Sequence, residues 1–141
     1  MFSSLVGTIN IKRLILAVIG VFVYIVISDY LIHGLAMKNL YQETIFLWRS
    51  ETDMQAYMPW MFLGQFIIAK FFCILFARGY EGRGAMEGLR FSLLIGPLMV
   101  APNFIQYAVM PLTPSILASW LAFGMLQVVG AGIVASLIYR K

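Results

Sequence analysis

The sequence predicts an all-α fold: four transmembrane helices in one bundle, with a short amphipathic helix on the outer surface between the first two spans. Three observations lead there. The 141-residue chain is 62% hydrophobic and only 11% charged, whereas soluble domains hold roughly 45–50% and about 25%. Its apolar residues gather into four runs of about 20 residues or more, the length needed to cross about 30 Å of hydrocarbon. The few polar residues inside those runs recur at matched depths. No room remains for a second domain, so residues 1–141 form a single four-span unit.

The first run, residues 14–36, is too long for the core of a signal peptide and has no small-residue cleavage pattern, so it reads as a retained span. The second covers about 57–77, the third 85–109 and the fourth 115–139. Arg78-Gly79-Tyr80-Glu81-Gly82-Arg83-Gly84 separates the middle two as a glycine-rich turn, and Met110-Pro111-Leu112-Thr113-Pro114 is a proline-bounded hairpin before the last. Pro59 is expected in the first turn of span two, where its missing N–H costs little.

Basic residues set the orientation. With four spans, Lys12, Arg13, Arg78, Arg83, Arg90, Arg140 and Lys141 share one side, against Lys38 and Arg49 on the other, with Lys70 inside the second span. Seven against two predicts cytoplasmic termini by the positive-inside rule. The net charge of +4 comes from these scattered span ends, so it points to membrane topology and not to nucleic acid. Cys73 is the single cysteine, which excludes an internal disulfide and reads as a packed thiol.

The outer connection, residues 37–56, has structure of its own. Asn39 followed by Gln42 has the spacing of a capping box. Leu40, Thr44, Leu47 and Trp48 fall on one helical face, which predicts a surface helix over 40–49. Tyr41, Trp48, Tyr57 and Trp60 are of the types that anchor at membrane interfaces.

Polar residues within the spans define a candidate site. Asp29 and His33 are four apart, on one face of the first span. Gln65 lies early in the second, and Asn103 and Gln106 lie late in the third. Helical rise puts Asp29, Gln65 and Asn103 at roughly 10–12 Å below the outer boundary. A charge at that depth reads as a functional site or an internal pair. Arg49 and Trp48 of the surface helix are candidates to cover it. On the third span Ala85, Gly88, Ser92, Gly96, Met99, Asn103 and Gln106 form a stripe of mostly small or amide side chains, which predicts close helix contact. Trp120, Gly124, Gln127, Ala131 and Ala135 form a comparable stripe on the fourth. Toward the cytoplasm, Lys70 and Glu87 are expected to pair, with Arg90 on the same face as Glu87.

Several chemistries lack their parts. Asp29 and His33 are fewer than the three protein donors of a zinc site. One histidine excludes bis-histidine haem ligation within one chain, and no phosphate loop or H-E-x-x-H occurs. A serine nucleophile would have to be Ser28, which faces away from His33 on helical register. No catalytic residue, metal or cofactor is expected.

Asp29-x-x-x-His33-Gly34, Leu47-Trp48-Arg49, Glu87-Gly88-x-Arg90-Phe91-Ser92-Leu93-x-x-Gly96 and the proline-bounded hairpin resemble a group of uncharacterised bacterial four-helix integral membrane proteins, a domain of unknown function. The resemblance implies a bacterial inner-membrane location and a four-helix bundle, and it carries no activity. The expected function is a non-enzymatic accessory or assembly subunit, set in the lipid bilayer against partner membrane proteins or further copies of itself. Two alternatives stand beside it. One is a small oligomeric transporter or channel component using Asp29 and His33. The other is an outer-leaflet lipid-modifying enzyme using the same pair as acid and base.

Overall fold

The computed structural model of the chain describes residues 8–141, and among them every regular element is helical. Four helical stretches, Ile11–Ala36, Glu51–Arg78, Ala85–Val109 and Pro114–Ile138, are long and apolar enough to cross a membrane. All four have the expected order, and each boundary that moved has a local cause.

Helix α1 (Ile11–Asp29) starts three residues early because the Asn10 side chain caps it, accepting from Arg13 N–H at 3.1 Å. From Tyr30 to Ala36 the same helix widens to π geometry, closed by the Met37 N–H on the Ile32 carbonyl at 2.8 Å. Helix α2 (Lys38–Glu43) follows at once, then a three-residue helical turn, Ile45–Leu47. The expected capping box at Asn39 and Gln42 is therefore absent. Met37 holds the N-cap position, and Asn39 is already inside the helix. The expected inner face is present nevertheless: Thr44 is buried, and Leu40, Leu47 and Trp48 pack on Met37, Leu112 and Ile116.

Helix α3 (Glu51–Arg78) begins six residues before the expected start, because Ser50 caps it by accepting from Asp53 N–H at 3.2 Å. Its 28 residues extend about 42 Å. Pro59 consequently lies in the helix interior and not in the first turn. The turn that follows is held by Glu87, whose two carboxylate oxygens accept the backbone N–H groups of Glu81 (2.5 Å) and Arg83 (2.8 Å). Gly82 and Gly84, at φ +80° and +70°, supply the left-handed backbone this clamp needs. The expected Lys70–Glu87 ion pair does not form, since both Glu87 oxygens are already engaged. Lys70 is exposed with its Nζ 5.7 Å from the Phe71 ring centre, Arg90 is also exposed, and neither meets a carboxylate among the described residues.

The third stretch is two helices, α4 (Ala85–Val100) and α5 (Pro102–Val109). Pro102 has no N–H to offer the preceding turn, so the α-helix ends at Ala101 and restarts with proline at its first position. Thr113 caps α6 (Pro114–Ile138) through its Oγ1 on Ile116 N–H.

Helix α6 sits at the centre, with α4 on one side and α1 on the other. The α4 contact is backbone on backbone. A methyl group added at Gly88 would overlap the Gly132 carbonyl, and one at Gly132 would overlap Ser92 Oγ. Ser92 Oγ donates to the Val128 carbonyl at 2.9 Å. On the opposite face Gly20 admits Val134 and Ile138, and Gly130 admits the Tyr24 ring. Phe22 and Phe66 join α1 to α3 edge to face.

The near end, which carries the start of α1, the end of α6 and the Arg78–Gly84 turn, is closed by aromatic rings. Phe72 and Phe76 meet Phe91, Tyr80 meets Tyr139, and Tyr139 Oη accepts from Asn10 N–H. The far end carries α2, the Ile45–Leu47 turn and the Met110–Thr113 hairpin, and it is built differently.

Candidate functional site

Asp29 is the last α-helical residue before α1 widens, and its carboxylate is reached from two other helices. Gln65 of α3 donates its Nε2 to Oδ2 at 2.6 Å, and Gln127 of α6 donates to Oδ1 at 2.7 Å. The Gln127 amide also reaches Ser28 Oγ at 2.8 Å. These are charge-assisted donors on both oxygens of one anion.

His33 stands one turn on, with Nε2 3.8 Å from Asp29 Oδ1. Its Nδ1 lies 2.6 Å from the Tyr41 hydroxyl, which accepts the Trp120 Nε1–H at 2.6 Å. Indole only donates, so the hydroxyl proton is free to go to Nδ1. An imidazole that accepts at Nδ1 carries its proton on Nε2, toward Asp29. Trp120 of α6, Tyr41 of α2 and His33 of α1 are thus hydrogen-bonded in order, and His33 Nε2 stands 3.8 Å from the Asp29 carboxylate. Burial pushes the Tyr41 phenol above its ordinary value, opposed by the Trp120 N–H, which keeps it a neutral donor. Trp48 backs both rings, edge-on to Tyr41 at 5.3 Å and to Trp120 at 6.3 Å, and its Nε1 donates to Thr44 Oγ1.

Beside this network lies a cavity of about 290 Å³. The sequence candidates Asp29, His33, Gln65, Asn103 and Gln106, drawn from three spans, all line it. Gln127 and Trp120 complete its polar wall; Phe72 and Phe123 are aromatic, and the remaining lining is aliphatic or glycine. Asp29 is its one carboxylate, and no lysine or arginine lines it among the described residues.

Arg49 is not part of this site. It pairs with Asp53 at 3.2 Å, with its guanidinium 3.7 Å above the Tyr57 ring, on the exposed surface. Trp48 acts from behind the wall and does not line the cavity. Ser28 does come close, sharing the Gln127 donor with Asp29, but its proton goes to the Ile25 carbonyl and not toward His33. Among the described residues no third His, Cys, Asp or Glu joins Asp29 and His33.

Sequence reasoning missed Tyr41 as a partner of His33, and it placed Trp120 and Gln127 on a contact stripe only. Tyr41 is eight residues from His33 in the chain, and only the π segment and the turn into α2 bring its hydroxyl back. Of the fourth-span stripe, Trp120, Gly124, Gln127 and Ala131 line the cavity and Ala135 is buried, while the tight contact with α4 falls outside the stripe, on Gly132 and Ser136. The third-span stripe does divide, with Gly88, Ser92 and Gly96 on α6, and Met99, Asn103 and Gln106 on the cavity.

Compared with known protein families, curated proteins and solved structures, the chain matches none. The chemistry of the site therefore rests on its own residues.

Proposed function

We propose that this is a four-helix-bundle protein of a bacterial inner membrane, with both termini cytoplasmic, whose outer half holds a solute-binding site of a small transporter or channel component. The reading rests on one observation. A carboxylate within an apolar helix lies on the wall of a cavity, with amide donors from two other helices aimed at it. Intramembrane carboxylates are costly and mark ion or substrate pathways. A purely structural Asp29 would be sealed by its partners, yet its side chain is 25% exposed beside 290 Å³ of space. The seven-to-two distribution of lysine and arginine supports the orientation, which puts the cavity toward the outside.

One experiment addresses both cavity and orientation. In a Cys73→Ala background, Met99→Cys on the cavity wall is expected to react with a small, water-soluble, impermeant thiol reagent added outside sealed cells. Leu98→Cys, 71% exposed on the helix exterior, is expected to be inert because a thiolate does not form in lipid. Glu81→Cys, in the turn between α3 and α4, is expected to react only after the cells are opened. An unreactive Met99→Cys would end the solute-site reading.

A second reading, an accessory subunit, is favoured by Lys70. It is exposed on α3, among the described residues it meets no carboxylate, and it lies about 12 Å along the helix from Arg78. A partner chain carrying a carboxylate at that depth would complete it. A copurifying membrane protein that is lost on Lys70→Leu would support this role.

A further inference from the structure

The cavity also specifies what kind of solute suits it, an inference that rests on the solute-site reading above. We infer that the site accepts a small organic ammonium ion, with the charged nitrogen at Asp29 and the carbon skeleton against Phe72, Trp120 and Phe123.

Charge comes first. Asp29 is the one carboxylate on the wall, and its two amide donors soften the charge without cancelling it. With Nδ1 accepting the hydrogen bond of the Tyr41 hydroxyl, the His33 imidazole is neutral and brings no positive charge of its own. A single positive charge on the ligand balances the site, whereas an anion would meet an unpaired carboxylate.

Hydrogen bonding is the second argument. Gln65 is only 5% exposed, and while its Nε2 is engaged by Asp29, its Oε1 is buried without any partner. A buried acceptor left bare is costly, and what it lacks is a donor. An ammonium group has several N–H donors; with one on Asp29, a turn of the Gln65 side chain, whose Oε1 does not open onto the cavity as it stands, would bring that carbonyl to another. The Asn103 and Gln106 amides, also on the wall, make no side-chain hydrogen bond among the described residues and remain free for a polar substituent.

Size and surface decide between a bare ion and an organic one. A volume of 290 Å³ is many times the roughly 10–15 Å³ that one water needs by the same measure, far more than a monovalent metal ion occupies. Three aromatic rings on the wall favour a cation with apolar substituents, through their faces and through apolar burial.

The test uses the full chain in lipid nanodiscs, with Met99→Cys in the Cys73→Ala background as reporter and benzylammonium chloride as probe. Benzylammonium is expected to slow thiol modification at least ten-fold in a saturable manner. Benzyl alcohol, the same shape without charge, should need at least ten-fold higher concentration, and sodium chloride at matched concentration should not protect. Adding Asp29→Asn should raise the protective concentration of benzylammonium ten-fold or more, while Asp53→Asn, an exposed acid outside the cavity, should leave it unchanged. Equal protection by benzyl alcohol or by sodium would overturn the ammonium assignment while leaving a solute site in place. Modification that proceeds unslowed by benzylammonium would also overturn it. A reporter that never reacts would remove both readings. The two benzyl probes are compared on intact Asp29, so the outcome does not depend on whether Asp29→Asn folds.

Discussion

The two ends of this molecule solve opposite problems with the same four helices. At the near end the helices are regular and close-packed. Gly88 and Gly132 let two backbones touch, and the rings of Phe76, Phe91, Tyr80 and Tyr139 fill the remaining space. At the far end the first helix widens to π geometry from Tyr30, and the third stops at Ala101 and restarts. Both irregular segments adjoin the cavity, through Ile32 and His33 on one and Asn103 and Gln106 on the other. Irregular backbone at membrane depth is tolerated where protein or water satisfies the freed groups. The comparison teaches that packing and polarity are separated along the helix axes: the near end supplies rigidity, and the far end gives up regular packing for a polar space.

That division is tested most severely at the near end. Gly88→Leu places a side chain into the Gly132 backbone, which cannot rotate away. Overpacking typically costs about 1–3 kcal/mol and occasionally more, and here the upper end or beyond is expected, read as loss of monodisperse protein in detergent. Gly96→Leu should be milder, because the atoms it meets first are the flexible end of Met125. Equal loss in the two variants would show that the backbone contact is not what holds α4 to α6.

Asp29→Asn comes next in size. It removes the charge that both Gln65 and Gln127 address, and one of its two polar atoms becomes a donor facing another donor. A loss of about 1.5–3 kcal/mol is expected from hydrogen bonds to a charged group, measured as a lower melting temperature in detergent with the helical content retained. A loss as large as that of Gly88→Leu would make the far end part of the folding core and erase the contrast.

Tyr41→Phe is expected to cost about 1 kcal/mol, since it strips the partner from both His33 Nδ1 and Trp120 Nε1. Its sharper readout is local. The Trp120 emission should shift while the near-end aromatic signals stay the same, and an unchanged Trp120 signal would mean that the hydroxyl does not bridge the two. Leu94→Ile, at 77% exposure on α4, sets the baseline, and a melting temperature indistinguishable from the parent chain is expected.

Much of the far-end site was legible because burying polar atoms in an apolar helix is costly, so their depth carries information. Asp29, Gln65 and Asn103 were grouped by rise per residue, His33 by its four-residue spacing from Asp29 and Gln106 by its place late in the third span, and all five line one cavity. Depth does not give azimuth, however. Gln127 read as one residue of a small stripe, although its amide turns to Asp29 on another helix. Glu87 and Lys70 show the opposite error. The long Lys70 stem was expected to reach down to Glu87, but the glycine-rich turn presented two backbone N–H groups to the carboxylate first. Two boundaries were misjudged for a simpler reason. Ser50-x-x-Asp53 is a local cap signal as plain as Asn39-x-x-Gln42, and the chain uses only the former.

The sequence by itself determined the helical class, the four long apolar stretches and the level at which each polar residue sits, because hydrophobic length and helical rise are local properties. Which face of each helix turns inward against which neighbour was decided only by tertiary packing. Gly132 rather than Ala131 meets Gly88, Trp120 meets Tyr41, and Gln127 meets Asp29. Those choices depend on how four helices share the space around α6, and the energy of each contact exists only once its partner helix is in place.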